Sequence, residues 1–286
     1  MARRSIVVAG ACAAVLALTP ASAEAGRPDV AALQVALHAL RLLPGNVDGV
    51  AGPATVAAVR SFQRRSGLPV DGIAGARTRA ALGRRGGPPY GSRTMRPGAR
   101  GWDVAALQFA LSAHGFPCGS LDGGFGSHLE AAVLRFQRFA GLPLAGVAGP
   151  ATRAALRRSP PRAPLAVRRP VAAPVGDRYG ARGATWHPGI DFPAPAGTPV
   201  AAARAGRVVS AGFAADGYGD RVVLAHGQGE RTLYAHLSRV LVRRGESVGA
   251  GAVIGRVGAT GFATGPHLHF ELIVRGAKID PAPAMR

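Results

Sequence analysis

Apolar residues recur at helical spacing in two stretches of the chain and at strand-like intervals in a third. Val30, Leu33, Leu37 and Leu40 fall three or four positions apart, as do Val104, Leu107 and Leu111, and each set predicts an amphipathic helix. Asp29 and Asp103 stand where they can cap these helices. A turn follows at Asp48-Gly49 and Asp122-Gly123. A second helix carries Val59 and Phe62, or Val133 and Phe136, and stops at Gly67-Leu68-Pro69 or Gly141-Leu142-Pro143. A short third helix ends at Leu82 or Leu156. Beyond residue 175 the rhythm changes to short β-runs between Gly turns. The candidates are Val200–Ala203, Gly206–Val209, Arg221–Leu224, Thr232–Tyr234, Ala252–Ile254 and Leu268–Val274. Their spacing predicts a compact antiparallel all-β domain.

The helical pattern is an internal repeat. Residues 29–82 align without a gap on 103–156, with about thirty positions identical. Asp29-Val-Ala-Ala-Leu33-Gln34 matches Asp103-Val-Ala-Ala-Leu107-Gln108, and Phe62-Gln63-Arg64 matches Phe136-Gln137-Arg138. At 286 residues the chain is therefore read as multidomain, with two small all-α three-helix repeats followed by an all-β antiparallel domain. The expected bounds are 27–84 and 100–158 for the repeats and 175–286 for the β domain. Between them, 85–99 and the Pro/Arg-rich 159–174 read as extended, semi-rigid spacers. The Phe residues are core in any reading; Gln34, Gln63, Gln108 and Gln137 cap or face solvent if the repeats are merely generic helical units.

Charge and the amino terminus narrow the setting. The formal net charge is +20, which suits either nucleic acid or an anionic surface. Arg3 and Arg4 precede an apolar run from Ile6 to Leu18, and Ala21-Ser22-Ala23 supplies small residues for cleavage, so residues 1–23 read as a secretory signal peptide, too short for a membrane span. Removing Arg3 and Arg4 leaves 33 basic residues against 15 acidic, so the mature chain would carry +18. An exported basic chain meets wall carboxylates and phosphate polymers, and no interleaved aromatic platform for nucleic acid is visible. The expectation is a secreted or wall-associated monomer with no membrane span after cleavage. Cys12 leaves with the signal, and Cys118 then has no internal partner.

The chemistry concentrates in the last hundred residues, in His187-Pro-Gly-Ile-Asp191, Tyr234-Ala-His236-Leu237 and His267-Leu-His269-Phe270-Glu271. Two imidazoles and one carboxylate form a zinc set that keeps a position open for water, unlike a closed structural site. Pro188 and Gly189 exclude a helical ladder. On strands, His187 and Asp191 would share a face, as would His267 and His269. His226, ahead of a Gly227-Gln228-Gly229 turn, reads as a structural histidine, as do His38, His114 and His128. Glu271 either orients a ligand histidine or points outward from its strand.

With those clusters the chain resembles the lysostaphin/LytM-type zinc metallopeptidases, which cut peptide bonds in peptidoglycan. The resemblance covers roughly residues 176–284 and runs through Ala194-Pro-Ala-Gly197-Thr-Pro-Val200, Tyr218-Gly219-Asp-Arg-Val222, Gly258-Ala-Thr-Gly261 and Asp280-Pro281 as well. It implies one zinc per chain held by His187, Asp191 and His269, with His236 and His267 beside the water as proton carriers. It also implies a groove floored by the sheet and walled by loops 211–220 and 258–266. The family commonly places a Tyr shortly before its first His; here the nearest is Tyr179, with Arg182 closer and a substitute candidate. The repeats in turn are similar to the small three-helix peptidoglycan-binding domain, through Leu-Gln in the first helix, Asp-Gly-x-x-Gly, and Phe-Gln before Gly-Leu-Pro. Together these resemblances imply a wall-anchored zinc endopeptidase acting on stem peptides or cross-bridges. The alternatives are a non-catalytic wall-binding activator of another hydrolase, or a lytic enzyme aimed at competitor cells.

Overall fold

The computed structural model describes residues 26–286, so the signal reading of 1–23 lies outside the described residues. Among the described residues six α-helices precede the sheet. The first repeat holds α1 (Pro28–Ala39), α2 (Pro53–Arg65) and α3 (Ala76–Ala81); the second holds α4 (Trp102–Ala113), α5 (Ser127–Ala140) and α6 (Pro150–Ala155). Pro at the first position of α1, α2 and α6 starts each helix at no cost in hydrogen bonds. The capping expectation is corrected: Arg27 and Gly101 occupy the N-cap positions of α1 and α4, and no side chain caps either. Asp103 lies in the first turn, where it favours the helix dipole and accepts Arg93 Nε at 2.7 Å. Asp29 Oδ1 accepts the Trp102 indole N–H at 3.4 Å, tying one repeat to the other.

The four glutamines neither cap helices nor face solvent; all are buried. Gln34 Nε2 donates to Asp48 Oδ1 (2.7 Å) and to the Val50 carbonyl (3.1 Å), while its Oε1 accepts the Gly49 N–H (2.8 Å). Gln63 does the same for Asp71, the Ile73 carbonyl and Gly72 (2.6, 3.0 and 2.9 Å). Gln108 and Gln137 staple the turns at Asp122-Gly123 and Gly146-Val147 in the second copy. Each repeat is thus two helix–Gln–turn units, and the buried amides satisfy turn groups that would otherwise be orphaned.

The presumed spacers are packed, because apolar residues punctuate their Pro and Arg. Met95 has no exposed surface and pairs with Ala148. Leu165, Val167 and Val171 are buried, and Arg168 N–H donates to the Ala203 carbonyl at 2.8 Å. Helix α1 packs against α4, and one contiguous apolar cluster runs from Ala31 to Ala284. The helical and β parts therefore share a continuous core. Cys118 is buried in it, and burial pushes its thiol up to about 11.

The remaining chain is antiparallel β. The strands are β1 (Gly180–Arg182), β2 (Thr185–His187), β3 (Ile190–Pro193), β4 (Pro199–Ala201), β5 (Gly206–Ala214), β6 (Gly219–Gly227), β7 (Glu230–Val240), β8 (Ser247–Val248), β9 (Val253–Val257), β10 (His267–Val274) and β11 (Ala277–Ile279). Strands β1 and β2 form a separate hairpin; the others build one sheet with the order β11-β10-β7-β6-β5-β8, to which β3 joins on β10 and β9 on β7. Each of the six expected β-runs overlaps a strand, although Ala202, Ala203 and Ala252 fall outside them. Residues 211–214 and 219–220, expected in a loop, continue β5 and β6, leaving only a tight turn between them. Strand β10 lies inside the sheet, with β7 on one edge and β3 then β11 on the other. Its Leu268, Phe270 and Leu272 are fully buried in the core with Tyr234 and Phe192, so His267, His269 and Glu271 must face the other way. Among the described residues no helix is long and apolar enough to cross a membrane.

Candidate metal centre

Strand pairing brings the site together. Asp191 on β3 lies directly opposite His269 on β10, and Ala235 opposes His269 from the β7 side. His187 and Asp191 do not share one strand as expected: Pro188 and Gly189 break it, leaving His187 at the end of β2 and Asp191 on β3. The two still meet, with His187 Nε2 3.1 Å from Asp191 Oδ1. His236 follows Ala235 on β7 with φ 61°, a left-handed conformation costing a non-glycine residue roughly 1–3 kcal/mol. The β6–β7 register shifts there, between Asp220 and Val222, and the shift turns His236 toward the β10 histidines. Their ring centroids lie 4.7 Å apart for His236–His267 and 5.9 Å for His236–His269. Gly219 permits the arrangement: a Cβ there would come within 2.4 Å of Thr260 C, at φ +62°.

Carbonyl acceptors fix the tautomers of three of the four imidazoles, those of His187, His236 and His267. His187 Nδ1–H donates to the Arg178 carbonyl at 2.8 Å, so Nε2 is a lone pair. His269 lies between two carboxylates, with Nε2 3.2 Å from Glu271 Oε1; with the proton held on that side, Nδ1 offers its lone pair to a metal. His187 Nε2 and His269 Nδ1 are 3.1 Å apart, and His269 Nδ1 is 2.7 Å from Asp191 Oδ1. Three candidate ligand atoms, His187 Nε2, Asp191 Oδ1 and His269 Nδ1, thus converge. Their separations approach the ~3.3 Å edge of a tetrahedron with ~2.05 Å bonds. These residues fit a zinc ion, and all three line the groove. Arg182 Nη2 donates to Asp191 Oδ2 at 2.8 Å and reserves Oδ1 for the centre.

Electrostatics agree with a site made for positive charge. Burial disfavours a charged Asp191, yet the His187 and His269 contacts outweigh it and hold the carboxyl far below the usual range. Burial likewise opposes charge on His269, but Asp191 and Glu271 raise it above an ordinary imidazole. Glu271, fully buried, is the orienting group: burial pushes its pKa up, but Lys278, His269 and Tyr218 bring it down to about 2. Its Oε1 accepts from Tyr218 Oη at 2.5 Å and Lys278 Nζ at 3.0 Å.

His236 Nδ1–H donates to the Thr260 carbonyl and His267 Nδ1–H to the Gly265 carbonyl, both at 2.8 Å. Each therefore turns an unprotonated Nε2 to the groove, an open cleft of about 600 Å³ lined also by Asp177, Arg182, Asp216, Tyr218 and Phe262. Burial holds the His236 pKa below its ordinary value. Tyr179 serves elsewhere, donating its hydroxyl to the Lys278 carbonyl at 3.0 Å. Tyr218 and Lys278 escaped the sequence reading. Tyr218 was visible in its Tyr-Gly motif, whereas Lys278 reaches the site only through the β10–β11 hairpin. His226 ends β6 as expected, its ring nitrogens bonded to the Ala205 carbonyl and Thr232 Oγ1, both at 2.8 Å.

An antiparallel sheet thus carries a two-His-one-Asp cluster that could hold a metal and an adjacent imidazole pair in one cleft. Residues 185–281 match the model of peptidase family M23, and residues 26–82 and 100–156 match the putative peptidoglycan binding domain. Residues 185–281 therefore form a domain of peptidase family M23, a zinc-dependent family, behind two peptidoglycan-binding repeats. It is 44% identical over 113 residues to the DD-carboxypeptidase/endopeptidase Mpg of Neisseria meningitidis, covering 39% of this chain and 26% of that protein. It is 46% identical over 101 residues to the peptidoglycan DD-endopeptidase ShyA of Vibrio cholerae, covering 34% of this chain and 23% of that protein. Among solved structures, the catalytic domain of lysostaphin from Staphylococcus simulans is 38% identical, with 39% of this chain and 90% of that one covered and a TM-score of 0.37. The chain spans about a quarter of the length of the curated relatives it matches.

Proposed function

We propose that the protein is a secreted cell-wall hydrolase, a zinc endopeptidase that cuts peptide bonds in the stem peptides or cross-bridges of peptidoglycan while its two helical repeats hold it on the wall. The observation that carries the reading is the set of four imidazoles, three of them tautomer-fixed by backbone carbonyls, that line one groove beside Asp191. His187 Nε2, Asp191 Oδ1 and His269 Nδ1 would hold the ion. When bound, zinc lowers the pKa of a water and polarises a carbonyl.

The chain's own residues do the rest. His236 and His267 each anchor Nδ1–H on a carbonyl and so present Nε2 as a proton acceptor. They take the proton of the attacking water, then return one to the leaving amine. Burial keeps His236 neutral near pH 7, ready to accept. As imidazolium, either ring would also stabilise negative charge on the carbonyl oxygen. Arg182 and Glu271 position ligands rather than touch substrate. Phe262, 87% exposed, offers apolar surface at the cleft. The match to a peptidoglycan-binding model and the +20 charge support wall peptidoglycan and its anionic polymers as partners outside the cytoplasm. The purified protein is expected to carry one zinc per chain, lose wall lysis to a chelator and regain it with zinc. Full zinc content and full activity in His269→Ala would overturn the ligand assignment.

A further inference from the structure

The β1–β2 hairpin carries His187 at its end and Arg182 near its tip, yet it makes no ladder with the main sheet. A two-stranded hairpin of three residues a side is marginal by itself. Its tip is held from outside the β domain. Gly183 N–H donates to Asn46 Oδ1 at 2.7 Å, and the Gly183 carbonyl accepts the Val47 N–H at 2.9 Å, both from the first repeat. The Ala184 carbonyl accepts the Leu121 N–H at 2.7 Å, from the second. One strand residue behind, Trp186 stacks edge-on against Phe109 of α4 with ring centroids 5.7 Å apart. The hairpin therefore sits with its tip between the two helical repeats.

The second repeat also reaches the other ligand histidine from behind. The Gly115 carbonyl accepts the Lys278 N–H at 2.9 Å, and Lys278 Nζ in turn donates to Glu271, the acceptor for His269. Every residue lining the groove lies between 176 and 269. The repeats thus brace the metal centre from its far side and leave the cleft uncovered, which argues against a blocking role.

Building on the functional reading above, we propose that the helical repeats are a working part of the metal centre: Asn46, Phe109 and Leu121 are positioning residues that hold the His187 hairpin in register with Asp191 and His269. Wall binding and catalysis then share one rigid frame, so a repeat seated on the wall fixes the direction in which the cleft faces it.

The test uses the full chain and two variants, Asn46→Ala, which removes an exposed acceptor, and Phe109→Leu, which removes the ring but keeps an apolar side chain. Each should weaken zinc about tenfold in competition with a chromophoric chelator, the scale of losing a group that orients a ligand. Amide hydrogen exchange over residues 180–187 should quicken by a similar factor, while α5 exchanges as in the wild type and so reports an intact repeat. On a soluble cross-bridge peptide kcat should fall with KM unchanged, because the groove walls are untouched. Asn46→Asp, which keeps the acceptor, should restore all three. Wild-type zinc affinity and wild-type exchange at 180–187 in both variants would overturn the proposal. A wild-type protein that binds zinc but cuts no peptide would sink the functional reading alone, and the affinity and exchange comparison would still decide this one.

Discussion

Glu271→Gln is the most informative single change, because it keeps the shape of the group behind His269 and removes only its charge. The Glu271 carboxylate has no exposed surface, and three donors converge on Oε1 while Oε2 has no partner among the described residues. With its pKa near 2 it is ionised at every working pH. Glutamine turns three charge-assisted bonds into ordinary ones, a loss of about 1 kcal/mol each within the ~0.5–2 range that separates ~1.5–3 from ~1. Its new amide N–H₂ falls where Oε2 was, unpaired, at a further cost of about 1–3 kcal/mol. Lys278 is partly exposed and can swing toward water, which trims the total to about 2–4 kcal/mol. Urea denaturation of the zinc-free protein measures that loss. Zinc competition should show affinity down 10- to 100-fold, because His269 becomes less basic and less firmly oriented. Adding Lys278→Met should recover part of the stability by removing the orphaned ammonium, a coupling of about 1–3 kcal/mol. Glu271→Gln with stability within about 0.5 kcal/mol of wild type and zinc affinity within about twofold would refute the reasoning.

His236→Ala and His267→Ala are expected to keep the fold and most of the zinc but lose about 10²-fold or more in kcat on a soluble peptide; activity within a few-fold of wild type would remove that residue from the mechanism. Gln63→Leu and Gln137→Leu should each destabilise their repeat by about 1–2 kcal/mol in urea titrations, the larger loss at Gln137, whose turn partner Gly146 N–H is buried and left unpaired. His226 supplies the pH test. Burial lowers its folded-state pKa below the unfolded value, so the native state binds fewer protons and stability is lost as pH falls below about 6.5. In His226→Gln the fall of Tm between pH 7 and pH 5 should be shallower, and an unchanged slope would contradict the assignment.

The helices were legible because their apolar spacing is regular and their Gly and Pro stops are sharp, and the chemistry because His and Asp cluster at strand spacing. What sequence could not reveal depends on contacts far apart in the chain. Asp103 looks like a cap but is buried and paired with the partly exposed Arg93, and a local preference yields to that ion pair. The spacers look extended because Pro and Arg dominate them, yet Met95, Val167 and Val171 find apolar partners and dock. His187 and Asp191 seem to occupy one strand, but Pro188 and Gly189 divide it, and convergence then relies on β3 pairing with β10. Strands β1, β2, β3, β8 and β11 span two to four residues each, too short to show a period. Glu271 was undecided until the face of β10 was known. Asn46, far from the site in sequence, had no local signal at all.

The central claim, that this metal centre cuts peptide bonds of the wall, is tested most directly by digesting purified peptidoglycan of known cross-bridge chemistry and identifying the new termini by mass spectrometry. The account predicts new α-amino groups within stem peptides or cross-bridges, with no new reducing sugar ends, abolished by a chelator and restored by zinc. New reducing ends alone, or peptide cleavage that persists in zinc-free His269→Ala, would contradict it.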